Sequence, residues 1–116
     1  IEPPYWLQTV MGYQASSLPT VDNVLQLLRD FPDGTLWLCS GIGRHQLPMT
    51  TLATLMGGHV RVGLEDNVYY RKGEKATNAD LVERAVRIAH ELNREVATPE
   101  EARDMLGLSA QPSHYS

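Results

Sequence analysis

The sequence predicts an α/β fold in which parallel strands are joined by helical crossovers. Two observations carry this reading. A strand-like segment followed by a helix-like one recurs three times before a short terminal helix, an order that implies parallel strands with right-handed crossovers. The second strand-like segment, "TLWLCS" at 35–40, is nearly continuous in apolar residues, as in strands covered on both faces.

Each element follows from local chemistry. Residues 5–11, "YWLQTVM", are rich in aromatic and β-favouring side chains and read as a strand ended by Gly12. After the loop "GYQASSLPT", Thr20 can cap a helix over about 21–30, where Val21, Val24, Leu25, Leu27 and Leu28 make an apolar stripe. "FPDGT" is a turn, because Pro32 and Gly34 break any continuation. Beyond "TLWLCS", the loop "GIGRHQ" precedes a helix with Pro48 in its first turn, running to about Met56 and ended by Gly57. The third strand is placed at 59–65, followed by a long polar loop, "DNVYYRKGEKAT". Thr77 or Asn78 caps a helix to about Asn93, with Leu81, Ala85, Ile88 and Leu92 on one face. Thr98, Pro99 and Glu101 form the start signal of a short helix ending before Gly107. The tail 109–116, "SAQPSHYS" beyond Leu108, has little to bury and is expected to fray or to dock on a partner.

Three parallel strands make a poor independent domain, since both outer strands expose unpaired backbone. The pattern is a natural piece of an eight-stranded β/α barrel or of a doubly wound sheet. The opening Ile1-Glu2-Pro3-Pro4, without an initiator Met, also reads as an entry from something upstream. A fragment is expected.

Composition narrows the function classes. The chain of 116 residues is 42% hydrophobic and 21% charged, ordinary for one small globular domain. Ten Lys and Arg against fourteen Asp and Glu give a net charge of −4, and no basic run stands out, so nucleic-acid binding is not expected. No apolar run approaches the roughly 18–20 residues that span a bilayer. The lone Cys39 excludes an internal disulfide framework, fits a reducing compartment and reads as a small buried strand residue. His45, His59, His90 and His114 show no HxH or HxxxH spacing, so no self-contained metal site is visible. His59 reads as structural, His90 as a surface residue, and Trp6 and Trp37 as core.

In such folds the loops at the C-terminal ends of the strands build the site. Residues 12–19, 40–46 and 65–75 qualify. Along 59–65, period-two alternation puts His59, Arg61, Gly63 and Glu65 on one face and Val60, Val62 and Leu64 on the other. A buried guanidinium or carboxylate needs a partner. Arg61, Glu65 and Asp66 are therefore either an ion-pair cluster at a rim or a working site, and Arg61 alone would lower the pKa of a neighbouring carboxylate. In "SGIGRH", Gly41, Gly43 and Arg44 are either a phosphate-cradling loop or simply a tight turn.

Taken together, "EPPYWLQTVMG", "GIGRHQLP", "LATLMGGHVRVGLEDN" and "NADLVERAVRIAHELNREVATPEEARDMLGL" resemble the C-terminal part of the β-keto acid cleavage enzymes, over about residues 2–108. RVGLEDN at 61–67 is the most specific piece. The resemblance implies a (β/α)8 TIM barrel, of which residues 1–108 supply the last three βα units and the terminal helix, with 109–116 as the tail. It implies a divalent metal, zinc in most members, and condensation of a β-keto acid with acetyl-CoA to give acetoacetate and a new CoA thioester. It implies Glu65 as a metal ligand, Asp66 as the base and Arg61 as its partner. Gly41, Gly43 and Arg44 are candidates for the CoA phosphates. A cytoplasmic homotetramer is also implied. The family takes two more metal ligands from an HxH motif on an early strand, which this chain lacks. The 116 residues alone are therefore expected to be inactive without an N-terminal part of the barrel. The alternatives are a non-catalytic barrel fragment, and a metal-dependent aldolase or lyase barrel that does not use CoA.

Overall fold

The computed structural model describes residues 2–14, 17–109 and 111. Their elements run β1 (Tyr5–Met11), α1 (Val21–Asp30), β2 (Thr35–Gly41), a 3-10 turn (Gly43–His45), α2 (Gln46–Leu55) and β3 (His59–Val60). There follow β4 (Tyr69–Arg71), β5 (Glu74–Lys75), α3 (Asn78–Glu91) and α4 (Pro99–Leu106). The first three strands form one parallel sheet in the order β1-β2-β3. The class is thus α/β with a parallel sheet, and an unreversed strand order is compatible with one arc of a barrel.

β2 lies in the middle, in register with β1 from Tyr5↔Thr35 to Met11↔Gly41 and with β3 at Leu38↔His59 and Cys39↔Val60. This central position explains its apolar run. The core gathers Met11, Val24, Trp37, Cys39, Met49 and Ala53, with Leu27, Leu28, Phe31, Leu52 and Val60 packed against it. α1 and α2 thus bury their apolar residues with those of the sheet. The Trp37 indole N–H donates to Thr9 Oγ1 at 2.9 Å, satisfying the polar edge of a buried ring. Trp6, expected in the core, is instead 44% exposed. It lies near the start of β1, where the sheet is least covered, and its ring meets His59 at a centroid distance of 5.5 Å.

Capping sets the helix starts as read from the sequence. Thr20 accepts from the Asn23 N–H, and both Thr77 with Asp80 and Thr98 with Glu101 form reciprocal capping boxes. α2 begins two residues before Pro48, whose missing N–H is harmless within a first turn that has no partner for it. The Arg94 guanidinium donates to the carbonyls of Thr54 (3.0 Å) and Gly58 (2.7 Å), tying the segment after α3 to the end of α2.

Two expectations fail in the same region. The strand placed at 59–65 stops at Val60, apart from one more ladder bond from the Arg61 N–H to Cys39 O at 2.9 Å. The chain then turns, because the Gly63 carbonyl takes the N–H groups of Asp66 and Asn67. Asn78 Oδ1 receives the Leu64 N–H at 2.9 Å, fixing the turn to the start of α3. Leu64 is consequently exposed rather than packed on helices. The supposed polar loop contains the β4–β5 hairpin, closed at Lys72-Gly73. Apart from Ser109 and Gln111, the tail lies outside the described residues, as do Ala15 and Ser16 of the first loop.

Candidate active site

The turn after β3 brings together what an extended strand would have kept apart. Arg61 Nη2 lies 3.2 Å from Asp66 Oδ1 and 3.3 Å from Glu65 Oε2, so one guanidinium serves both carboxylates. Their surroundings differ sharply. The Glu65 side chain is 86% exposed, whereas that of Asp66 is only 6% exposed. Asp66 Oδ2 is buried and has no hydrogen-bond partner among the described residues. A buried acceptor without a donor is costly, so this oxygen is the unsaturated point of the cluster.

The expectation that Arg61 would depress its neighbour does not hold for Asp66. Burial pushes the Asp66 carboxyl above its ordinary range, outweighing the attraction of Arg61, and the charge of Glu65 pushes the same way.

The loop after β2 forms the adjoining wall. The Gly43 N–H donates to the Asp66 carbonyl at 2.7 Å, so the two loops are joined at the carboxylate. Gly43 occupies φ +57°, which glycine adopts without strain. Gly41 is required for a different reason. A Cβ there would lie 2.4 Å from the His45 carbonyl oxygen and 2.7 Å from Gln46 Cα, both backbone atoms. The glycines thus let the loop approach, while the exposed Arg44 lines an open cleft beside it. Gln46 is buried and its Nε2 donates to Gly63 O at 3.3 Å, linking α2 to the same turn.

The remaining chemistry-bearing residues are placed elsewhere. Cys39 is buried, and burial raises its thiol pKa against a weaker hydrogen bond with Thr9, keeping it unreactive. His59 is half-buried beneath Trp6, its pKa lowered by burial and then by Arg94. His90 is exposed on α3 and His114 lies outside the described residues. Among the described residues no three His, Cys, Asp or Glu side chains converge as a metal-binding group. No helix among them is long and apolar enough to cross a membrane.

Sequence reasoning missed a group beside this cluster. Tyr70 on β4 is faced by two guanidinium carbons, those of Arg84 at 4.2 Å and Arg71 at 5.1 Å from the ring centroid. Arg84 also donates to the Tyr70 carbonyl, and Arg87 Nη2 donates to the Tyr70 hydroxyl at 2.9 Å. The signal was present: "YYRKG" carries β-favouring residues before a Gly-containing turn, and Arg84 and Arg87 are spaced i,i+3 on one helix.

Comparison with known proteins identifies the family. The model of the beta-keto acid cleavage enzyme family matches residues 1–108, and the chain belongs to that family. The 3-keto-5-aminohexanoate cleavage enzyme of Fusobacterium nucleatum is 49% identical over 93% of this chain and 39% of its own length. The 3-oxoadipate:acetyl-CoA acetyltransferase of Cupriavidus necator is 43% identical over 88% of the chain and 37% of its length. The 3-dehydrocarnitine:acetyl-CoA trimethylamine transferase of Rhizobium meliloti is 37% identical over 94% of the chain and 36% of its length. The chain therefore spans less than half of these relatives.

Proposed function

We propose that this chain forms the C-terminal part of a metal-dependent TIM-barrel enzyme that condenses a β-keto acid with acetyl-CoA. The keto acid breaks between its methylene and keto carbons. Its CH2–COO⁻ unit displaces the CoA thiolate from the acetyl carbonyl carbon to become acetoacetate, and the remaining acyl group ends on the freed CoA sulfur. Family membership supports the reaction class, and acetyl-CoA in the names of two relatives favours it over a lyase that does not use CoA.

The observation that carries the site assignment is Asp66, held on one oxygen by Arg61 and, among the described residues, unpartnered on the other. In this reading the Asp66 carboxylate takes the proton from the methylene flanked by keto and carboxylate groups, making that carbon the nucleophile, and gives it back to the same carbon when acetoacetate departs. Arg61 orients Asp66 through Oδ1 and spreads positive charge toward the substrate carboxylate. Glu65, exposed at the same turn, offers a carboxylate outward. It fits as one ligand of a divalent metal whose other donors lie beyond the described residues. Such an ion, when bound, would polarise the keto group. The chain by itself is proposed to be inactive. A rim ion-pair cluster without catalysis is the second reading, favoured by the way Arg61 serves both carboxylates.

The test is a chimera in which this chain replaces the matching 39% of the Fusobacterium relative. With 3-keto-5-aminohexanoate or 3-oxoadipate, acetoacetate should form only when acetyl-CoA is present. Product without acetyl-CoA would favour the lyase, and none under any condition would favour the non-catalytic reading.

A further inference from the structure

A cleft of about 1140 Å³ opens between the Gly43-Arg44 turn, the β4–β5 hairpin and α3. Arg44, Arg71, Lys72, Arg84 and Arg87 line it, and among the described residues no Asp or Glu does. Five of the chain's ten Lys and Arg residues thus face one cavity of a protein whose net charge is −4. Such a concentration of one sign in a concave site focuses an attractive field on anions.

The five have distinct duties. Arg84 and Arg87 fasten the hairpin to α3 through Tyr70, and Arg71 pairs with Glu74 at 3.2 Å. Arg44 and Lys72 stand exposed, one on the turn after β2 and the other on the hairpin. Neither has an ion-pair partner among the described residues. The cleft wall also holds less polar residues that can take a nucleoside: Tyr69, Leu47 and Pro48, whereas the Tyr70 ring is already covered by Arg84 and Arg71. Asn67, which follows Asp66 directly, lines the cleft and fixes β4 by accepting the Tyr69 N–H at 3.1 Å. The cavity therefore abuts the Arg61–Asp66 cluster.

We propose that this cleft binds the phosphorylated nucleotide end of the CoA thioester, with Arg44 and Lys72 as the direct phosphate contacts. The identity of this ligand rests on the function proposed above. The chemistry recognised is a nucleoside carrying several phosphates, with the Tyr69, Leu47 and Pro48 wall against its base and cations about its phosphates. The flexible thiol-bearing arm would then run past Asn67 toward Asp66.

The test has two parts. In calorimetric titration of the chimera, CoA and adenosine 3′,5′-bisphosphate should bind, with affinity falling as salt rises, while pantetheine should not compete. Arg44→Glu and Lys72→Glu, both at exposed positions, should each weaken binding about tenfold or more, with unchanged circular dichroism. In the chimera, the same substitutions should raise the KM for acetyl-CoA and leave that for the keto acid unchanged. Binding of pyrophosphate and ATP as tight as that of CoA would place a general phosphate site here and overturn the assignment to CoA. Unchanged KM for acetyl-CoA in both variants, or no binding of the bisphosphate, would overturn the proposal altogether. The two readings fail separately. Bisphosphate binding weakened by Lys72→Glu without acetoacetate formation would remove the reaction but keep a nucleotide cleft. Acetoacetate formation with an unaltered KM would do the reverse.

Discussion

The two carboxylates on Arg61 should differ in energetic weight, and a pair of double-mutant cycles measures the difference. Arg61→Met keeps most of the stem while removing the charge, and Asp66→Asn and Glu65→Gln remove each partner's charge at nearly constant shape. A hydrogen bond to a charged group contributes about 1.5–3 kcal/mol when shielded. Asp66 is shielded, but the Arg61 side chain is 38% exposed, which places their coupling near the lower end, about 1–2 kcal/mol. Glu65 is 86% exposed, so its coupling with Arg61 should stay below about 0.5 kcal/mol and vanish in high salt. Arg61→Met alone should destabilise by about 2 kcal/mol, because it strands a buried carboxylate. Urea unfolding at neutral pH reads all of these through the midpoint, provided the denaturant slope is unchanged. Equal couplings, or a Glu65 coupling larger than that of Asp66, would refute the picture of one buried and one exposed partner.

Other outcomes follow from the surrounding structure. Gly41→Ala forces a Cβ against the backbone of His45 and Gln46. It should cost about 3 kcal/mol in urea unfolding, and a neutral result would mean the loop is more yielding than its packing implies. Tyr70 ionises more readily than an ordinary phenol, first because Arg87 hydrogen-bonds its hydroxyl and then through the charges of Arg87, Arg84 and Arg71. Its folded-state pKa is lowered, so it contributes stability only as pH rises past that value. Ultraviolet titration should show one tyrosine ionising early. Arg87→Ala should move that midpoint up, and an unmoved midpoint would deny the contact.

Much of this arrangement was legible in the residues, and the exceptions have physical causes. The parallel order followed from alternating strand and helix signals, and caps at Thr20, Thr77 and Thr98 are local chemistry that no tertiary contact overrides. Arg61, Glu65 and Asp66 do cluster, but by a different route from the one alternation suggested. Period two assumes an extended chain, whereas the Gly63 carbonyl draws two N–H groups back into a turn. Burial of Asp66 depends on the Gly43 loop and on Gln46, distant residues whose approach no local pattern encodes. The basic cleft was hidden because its cations come from the loop after β2, the hairpin and α3, and are not a run in the chain. Trp6 misled for a simpler reason: its apolar character says nothing of how well the end of the sheet is covered.

The most direct measurement of the central claim is single-turnover acetoacetate formation by the chimera carrying Asp66→Asn, alongside its metal content. The predicted result is a rate lower by about 10² to 10⁴, the usual contribution of a positioned general base, with metal content unchanged. An undiminished rate would contradict the account and leave Arg61, Glu65 and Asp66 as a structural cluster at the rim.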